Sequence, residues 1–155
     1  MENKKTLVAY FSWGGITKSV AERISKFIGA DTFQILPVKE YPKTYALTVV
    51  KAGPERLANS RPAIKNKCDN FDKYERIIIG FPVWWFSCPK IICTFLESYD
   101  FSGKEIFAFC THGGGGAGSS VETINKVLKS EKIKECKDFT KVTDEQLNRL
   151  LNNTI

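Results

Sequence analysis

Three short stretches carry the residues whose types could do chemistry. The first, Ser12-Trp13-Gly14-Gly15-Ile16-Thr17, sets two hydroxyls and two glycines between an apolar run and a helical pattern. Glycine lets backbone N–H groups turn inward, and the following helix adds about half a positive charge at its N-terminus. Together they make a phosphate site that needs neither a metal nor a basic side chain. Ser12 and Thr17 add hydroxyl donors. The plainer reading of these residues is an ordinary strand–turn–helix connection. The second stretch, Pro82-Val83-Trp84-Trp85-Phe86, is an aromatic cluster in a connection, where exposed tryptophan is costly. Either the indoles fold back into the core or they form a stacking platform for a flat ring. The third stretch, Thr111-His112-Gly113-Gly114-Gly115-Gly116-Ala117-Gly118, offers mostly backbone donors and allows close approach of a ligand. A phosphorylated, flat, heteroaromatic molecule would use all three.

Such loops need a scaffold that brings them to one edge. Leu7–Phe11 reads as a buried parallel strand. Lys18 to Ile28 follows as a helix with Val20, Ile24, Phe27 and Ile28 inward, stopped by Gly29. Thr32–Leu36 is a second strand ended by Pro37, and Thr44–Leu57 a helix interrupted at Gly53-Pro54. The polar stretch Asn59–Asn70 reads as a surface excursion that could pass over a ligand. Arg76–Phe81 is apolar on both faces and therefore central. Pro89 suits the first turn of a helix to about Tyr99, with Ile91, Ile92, Phe95 and Leu96 inward. Ile106–Cys110 is the fourth strand. Ser119 with Glu122 forms a capping box for a helix to Lys129, and Thr143 with Gln146 forms another for the last helix. A short strand at Cys136–Phe139 lies between them. This β/α alternation implies one domain over residues 1–155, an α/β fold of three α/β/α layers. Its parallel sheet would have five strands in the order 2-1-3-4-5. The loops after strands 1, 3 and 4 then meet where the strand order reverses.

Composition narrows the function classes. With 155 residues, 43% hydrophobic and 26% charged, the chain suits a soluble globular domain, and no apolar run is long enough to cross a membrane. A cytoplasmic location and no membrane partner are expected. Five scattered cysteines without a C-x-x-C pair, and a single histidine, argue for reduced thiols and against a metal site. The net charge of +6 is spread along the chain without a basic block or a nucleic-acid module. It favours acidic partners or anionic small molecules over nucleic acid.

The chain resembles the flavodoxins, FMN-binding proteins of the flavodoxin-like fold. Tyr10-Phe11-Ser12 through Thr17 is similar to their phosphate loop. Gly80-Phe81-Pro82-Val83-Trp84-Trp85, Tyr99 to Lys104, and Cys110-Thr111-His112-Gly113-Gly114 are similar to a subgroup with a Pro-x-Trp-Trp loop. The resemblance implies FMN as cofactor and no catalytic residue of the protein's own. It implies that Ser12, Trp13, Gly14, Gly15, Ile16 and Thr17 hold the phosphate. Pro82, Val83, Trp84 and Trp85 would border the isoalloxazine, and Thr111, His112, Gly113, Gly114 and Gly115 would line its pyrimidine side. Electron transfer to redox partner proteins, acidic ones among them, is the function implied for a monomer or weak dimer. An NAD(P)H-dependent flavin or quinone reductase, and a binding module without FMN, are the alternatives. Departures from the pattern are Gly14 in place of a hydroxyl, Ile16 in place of Asn, the basic charge, and a fourth-strand loop without an aromatic, which would leave one flavin face open. A rival pattern, G-x-G-x-x-G at Gly113, Gly115 and Gly118 with Asp138 downstream, would be a dinucleotide fingerprint, but it falls in the fourth β/α unit instead of the first.

Overall fold

Alternation along each strand decides which helix it meets. In β1 (Thr6–Tyr10) Leu7 and Ala9 face one layer while Val8 and Tyr10 face the other. In β3 (Arg76–Pro82) Ile77 and Ile79 join the first set and Ile78 the second. Both strands are therefore covered on both sides, which is why they read as continuous apolar runs. The computed structural model describes residues 4–44, 47–48, 50, 53–54 and 58–154. With β2 (Asp31–Gln34), β4 (Glu105–Thr111) and β5 (Cys136–Asp138), the strands form one parallel sheet of order β2-β1-β3-β4-β5, as expected.

Helices α1 (Ile16–Ile28) and α4 (Asp144–Thr154) cover one face, burying Val20, Ala21, Ile24, Leu147 and Leu151 against Val8, Ile78 and Phe109. Helices α2 (Lys90–Ser98) and α3 (Ser120–Val127) cover the other with Ile91, Ile92, Phe95, Leu96 and Ile124. Burying each such side chain contributes about 1.5–3 kcal/mol. Gly80 is required in β3: a Cβ there would stand 2.1 Å from the ring of Phe109, its partner on β4. Of the helix expected over Thr44–Leu57, residues 45, 46, 49, 51, 52 and 55–57 lie outside the described ones. The remainder keeps helical bonds from Thr48 to Thr44 and from Ala58 to Pro54.

Several local expectations are corrected. Phe27 is 43% exposed, and Thr17 takes an inward place on α1 instead. Pro89 is the N-cap of α2 and not its first helical residue. The Asn59–Asn70 excursion docks beside the end of β2, where Val38 N–H donates to Ala63 O (2.9 Å) and Lys65 N–H to Leu36 O (2.7 Å). The Thr143–Gln146 capping box forms, at 3.0 and 3.2 Å. The Ser119–Glu122 box does not, because the Ser119 hydroxyl donates to the carbonyl of Phe86.

Candidate functional site

The loop after β1 turns into α1 at Gly15, whose φ of +92° is a left-handed value that glycine adopts freely. Gly15 is the N-cap but has no side chain to offer. The Ser12 hydroxyl takes that task, accepting from Gly15 N–H (3.2 Å) and Lys18 N–H (3.1 Å). One oxygen thus sits where the donors of the first turn converge. The arrangement fits a phosphate, whose oxygens would make the same contacts with more charge. Thr17 is placed differently from expectation: it is buried, and its hydroxyl pairs with that of Thr111 at 2.9 Å. That bond ties the loop after β1 to the end of β4 beneath the site. Gly14 and Ile16 are exposed, and the Trp13 indole N–H donates to Pro42 O at 2.8 Å.

The loop after β3 divides its aromatics. Trp84 turns toward the core, packing edge-on against Phe11 (5.3 Å) and Tyr41 (4.9 Å). Trp85 and Phe86 stay outside, 44% and 64% exposed. The two occupy the centre of a tight hairpin turn closed by Trp84 N–H to Ser87 O (2.9 Å) and Ser87 N–H to Trp84 O (3.2 Å). Their φ angles, +51° and +63°, are those of the mirror-image turn that suits hairpin twist. Pro82 and Val83 are half-buried, and Val83 N–H donates to Thr111 O.

The loop after β4 is pinned at His112. Its backbone N–H donates to Thr140 Oγ1 (2.9 Å), its Nε2 meets Asp138 Oδ2 (2.7 Å), and its Nδ1 accepts from Gly114 N–H (2.9 Å). An Nδ1 that accepts leaves the ring proton on Nε2, directed at Asp138. Burial would raise the Asp138 carboxyl, but hydrogen bonds from Thr140 and His112 outweigh it and hold the group below its ordinary value. Both oxygens of Asp138 are thus engaged by the protein.

Two clefts adjoin His112. One, about 330 Å³, is lined by Val83, Trp84, Trp85, Phe86, His112 and the glycines 113, 115 and 116. The other, about 800 Å³, lies on the far side of the glycine loop and includes Lys141, Gln146 and Arg149. Among the described residues no group of histidines, cysteines and carboxylates could hold a metal ion. No helix among them is long and apolar enough to cross a membrane. Sequence reasoning missed Tyr41 behind Trp84, and it placed Phe86 and Gly118 in their loops without setting them among the cofactor-binding residues. A Cβ on Gly118 would stand 2.0 Å from the Phe86 carbonyl oxygen. Phe86 is the third aromatic of its run and Gly118 the last glycine of its loop; Tyr41 had no local signal.

Comparisons with known proteins agree with this geometry. A family model described as Flavodoxin (Flavodoxin_4) matches residues 5–154. The crystal structure of a candidate flavoprotein from Bacteroides eggerthii is 31% identical, with 97% of each chain covered and a TM-score of 0.88. A second candidate flavoprotein, from Bacteroides uniformis, is 29% identical over 96% of this chain and 98% of that one, with a TM-score of 0.88. A Lactobacillus acidophilus flavoprotein crystallised in complex with FMN is 25% identical over 87% of this chain and 93% of that one, with a TM-score of 0.78. A search of curated proteins found no match. With the model spanning nearly the whole chain, and the strand order and converging loops in place, the chain belongs to the flavodoxin family.

Proposed function

We propose that this protein binds FMN and carries electrons through it to an acidic redox partner protein, in the cytoplasm, as a monomer or weak dimer. One observation carries the reading: a donor-lined phosphate cradle on α1 and an aromatic cleft of about 330 Å³ stand on the same sheet edge. FMN has a phosphate at one end and a flat ring system at the other. Bound there, it supplies one- and two-electron redox chemistry that no side chain offers. Ser12, Gly15 and the first turn of α1 would hold its phosphate. Trp84, backed by Phe11 and Tyr41, would give the ring a rigid wall, and Gly113 and Gly115 would let backbone approach it. His112 has a positioning role: bound to Asp138 and Gly114, it fixes the course of the glycine loop. The positive net charge would steer acidic partners toward the protein.

A second reading, NAD(P)H-dependent reduction of flavin or quinone, draws on the cleft of about 800 Å³ whose wall includes Lys141 and Arg149. One experiment separates them. The absorption spectrum of purified protein is recorded with FMN, then again after anaerobic addition of NADPH. Bound flavin that ignores NADPH supports the carrier; rapid bleaching moves the function to a reductase. If FMN fails to bind, the cofactor reading is wrong and the family fold alone stands.

A further inference from the structure

The cleft of about 800 Å³ beyond the glycine loop differs in kind from the aromatic one. Val142 and Leu150, both half-buried, supply its apolar lining. Lys141, in the turn before α4, and Arg149, in the second turn of α4, supply its positive charge. Both cations are exposed and open to an outside partner. Lys141 makes no ion pair among the described residues. Arg149 has only Glu145, one turn back at 3.3 Å, and an exposed pair at this spacing contributes little. A better-placed carboxylate would displace it at small cost. The carboxylate on the cleft wall is in the opposite condition. Asp138 has one oxygen taken by Thr140 and the other by His112.

The layout matches a docked chain better than an enclosed small molecule. Small-molecule sites bury most of the ligand surface between their walls. Here Lys141, Gln146 and Arg149 reach the cleft from exposed positions. A small apolar centre with exposed charge around it is the anatomy of a protein–protein contact. Arginine adds a planar fork that takes a carboxylate through two parallel bonds. The place is also informative. His112 and Gly113 line both this cleft and the aromatic one, so an occupant here stands one loop away from the aromatic cleft.

We propose that this cleft is where the redox partner docks, receiving an acidic surface segment of that protein. Its carboxylates pair with Lys141 and Arg149, and an apolar side chain of the same segment covers Val142 and Leu150. The inference rests on the electron-carrier reading and gives the partner a specific seat. Net charge alone would attract acidic proteins to any part of the surface; this cleft selects one orientation, with the glycine loop between partner and flavin.

The test uses FMN-loaded full-length protein and a rhodamine-labelled hexaglutamate peptide, followed by fluorescence anisotropy at low ionic strength. Wild type should bind the peptide and release it as salt is raised. Lys141→Gln and Arg149→Gln should each weaken binding about three- to fivefold, and the double variant about tenfold or more. FMN affinity and the unfolding midpoint should stay at wild-type values. Lys126→Gln, the same charge change on exposed α3 across the sheet, should leave peptide binding unchanged. Equal weakening by Lys126→Gln would assign the binding to net charge and overturn the proposal. Wild-type affinity in the double variant would overturn it too. NADPH that displaces the peptide from wild type and bleaches its flavin, but not that of the double variant, would give the cleft to a nicotinamide cofactor instead. If wild type fails to bind FMN, the carrier reading falls, whereas the same peptide titration on FMN-free protein still decides whether the cleft takes an acidic segment.

Discussion

The loops after β1 and β3 border the same site and are built by different rules. Each departs from ordinary backbone geometry. The first uses glycine where φ is positive, at Gly15, and a hydroxyl three residues upstream caps the helix. The turn and its helix cap are made within Ser12 to Lys18, while Thr17–Thr111 and Trp13–Pro42 bonds anchor the loop to the rest of the fold. The second places Trp85 and Phe86 at positive φ, and it is shaped from outside by Gly118 and Ser119 at the start of α3. A loop organised by its own sequence is cheap to make and unstrained. One that must present bulky rings needs a distant element to hold it, and its integrity belongs to that element as much as to itself.

Substitution at Gly118 should have the largest effect. Gly118→Ala puts a Cβ 2.0 Å from the Phe86 carbonyl and demands a φ of +57° from alanine. The expected loss is about 3 kcal/mol, read as a lower urea midpoint at unchanged slope. Gly115→Ala, with its nearest neighbour at 3.8 Å, should stay within about 0.5 kcal/mol. Equal effects of the two would show that the Phe86 turn does not depend on Gly118.

At the loop after β1 the expected effect is smaller and local. Ser12→Ala removes the acceptor for Gly15 and Lys18 N–H and should cost about 1 kcal/mol. It should also weaken FMN about tenfold by removing a contact to a charged group. An unchanged unfolding midpoint would show that α1 does not depend on this cap.

The smallest effect concerns pH at the glycine loop. The folded-state pKa of Asp138 is lowered, so its contribution to stability is present above the ordinary carboxylate value and is lost as pH falls through the folded one. Wild type should therefore lose thermal stability below about pH 4 more steeply than Asp138→Asn. Parallel curves for the two proteins would contradict the assignment.

The two loops also differ in how far they could be read from sequence. Glycines, hydroxyls and a following helix declare the phosphate cradle, because its partners are neighbours in the chain. Strand order was legible too, since burial on both faces turns β1 and β3 into unbroken apolar runs. Ser119 and Thr143 show where the reading ends. Each begins a hydroxyl-x-x-Glu/Gln pattern, yet only Thr143 caps its helix in that way. The Ser119 hydroxyl is taken by Phe86, 33 residues away, a competitor no local pattern reveals. The same holds for Thr17, whose partner Thr111 is 94 residues distant, and for the Trp84 indole, which finds its wall in Phe11 and Tyr41. Local rules describe the cradle; the aromatic cleft is a property of the tertiary structure.

One arrangement has an optical consequence. Trp13, Trp84 and Trp85 are the three tryptophans of the chain, and all of them stand in the loops after β1 and β3. Intrinsic emission therefore comes from a single edge of the molecule, with no indole elsewhere to dilute it. A flavin arriving at that edge would accept the excitation of every emitter at once. The protein carries its own sensor for occupancy, and tryptophan emission reports on this edge of the sheet and on no other.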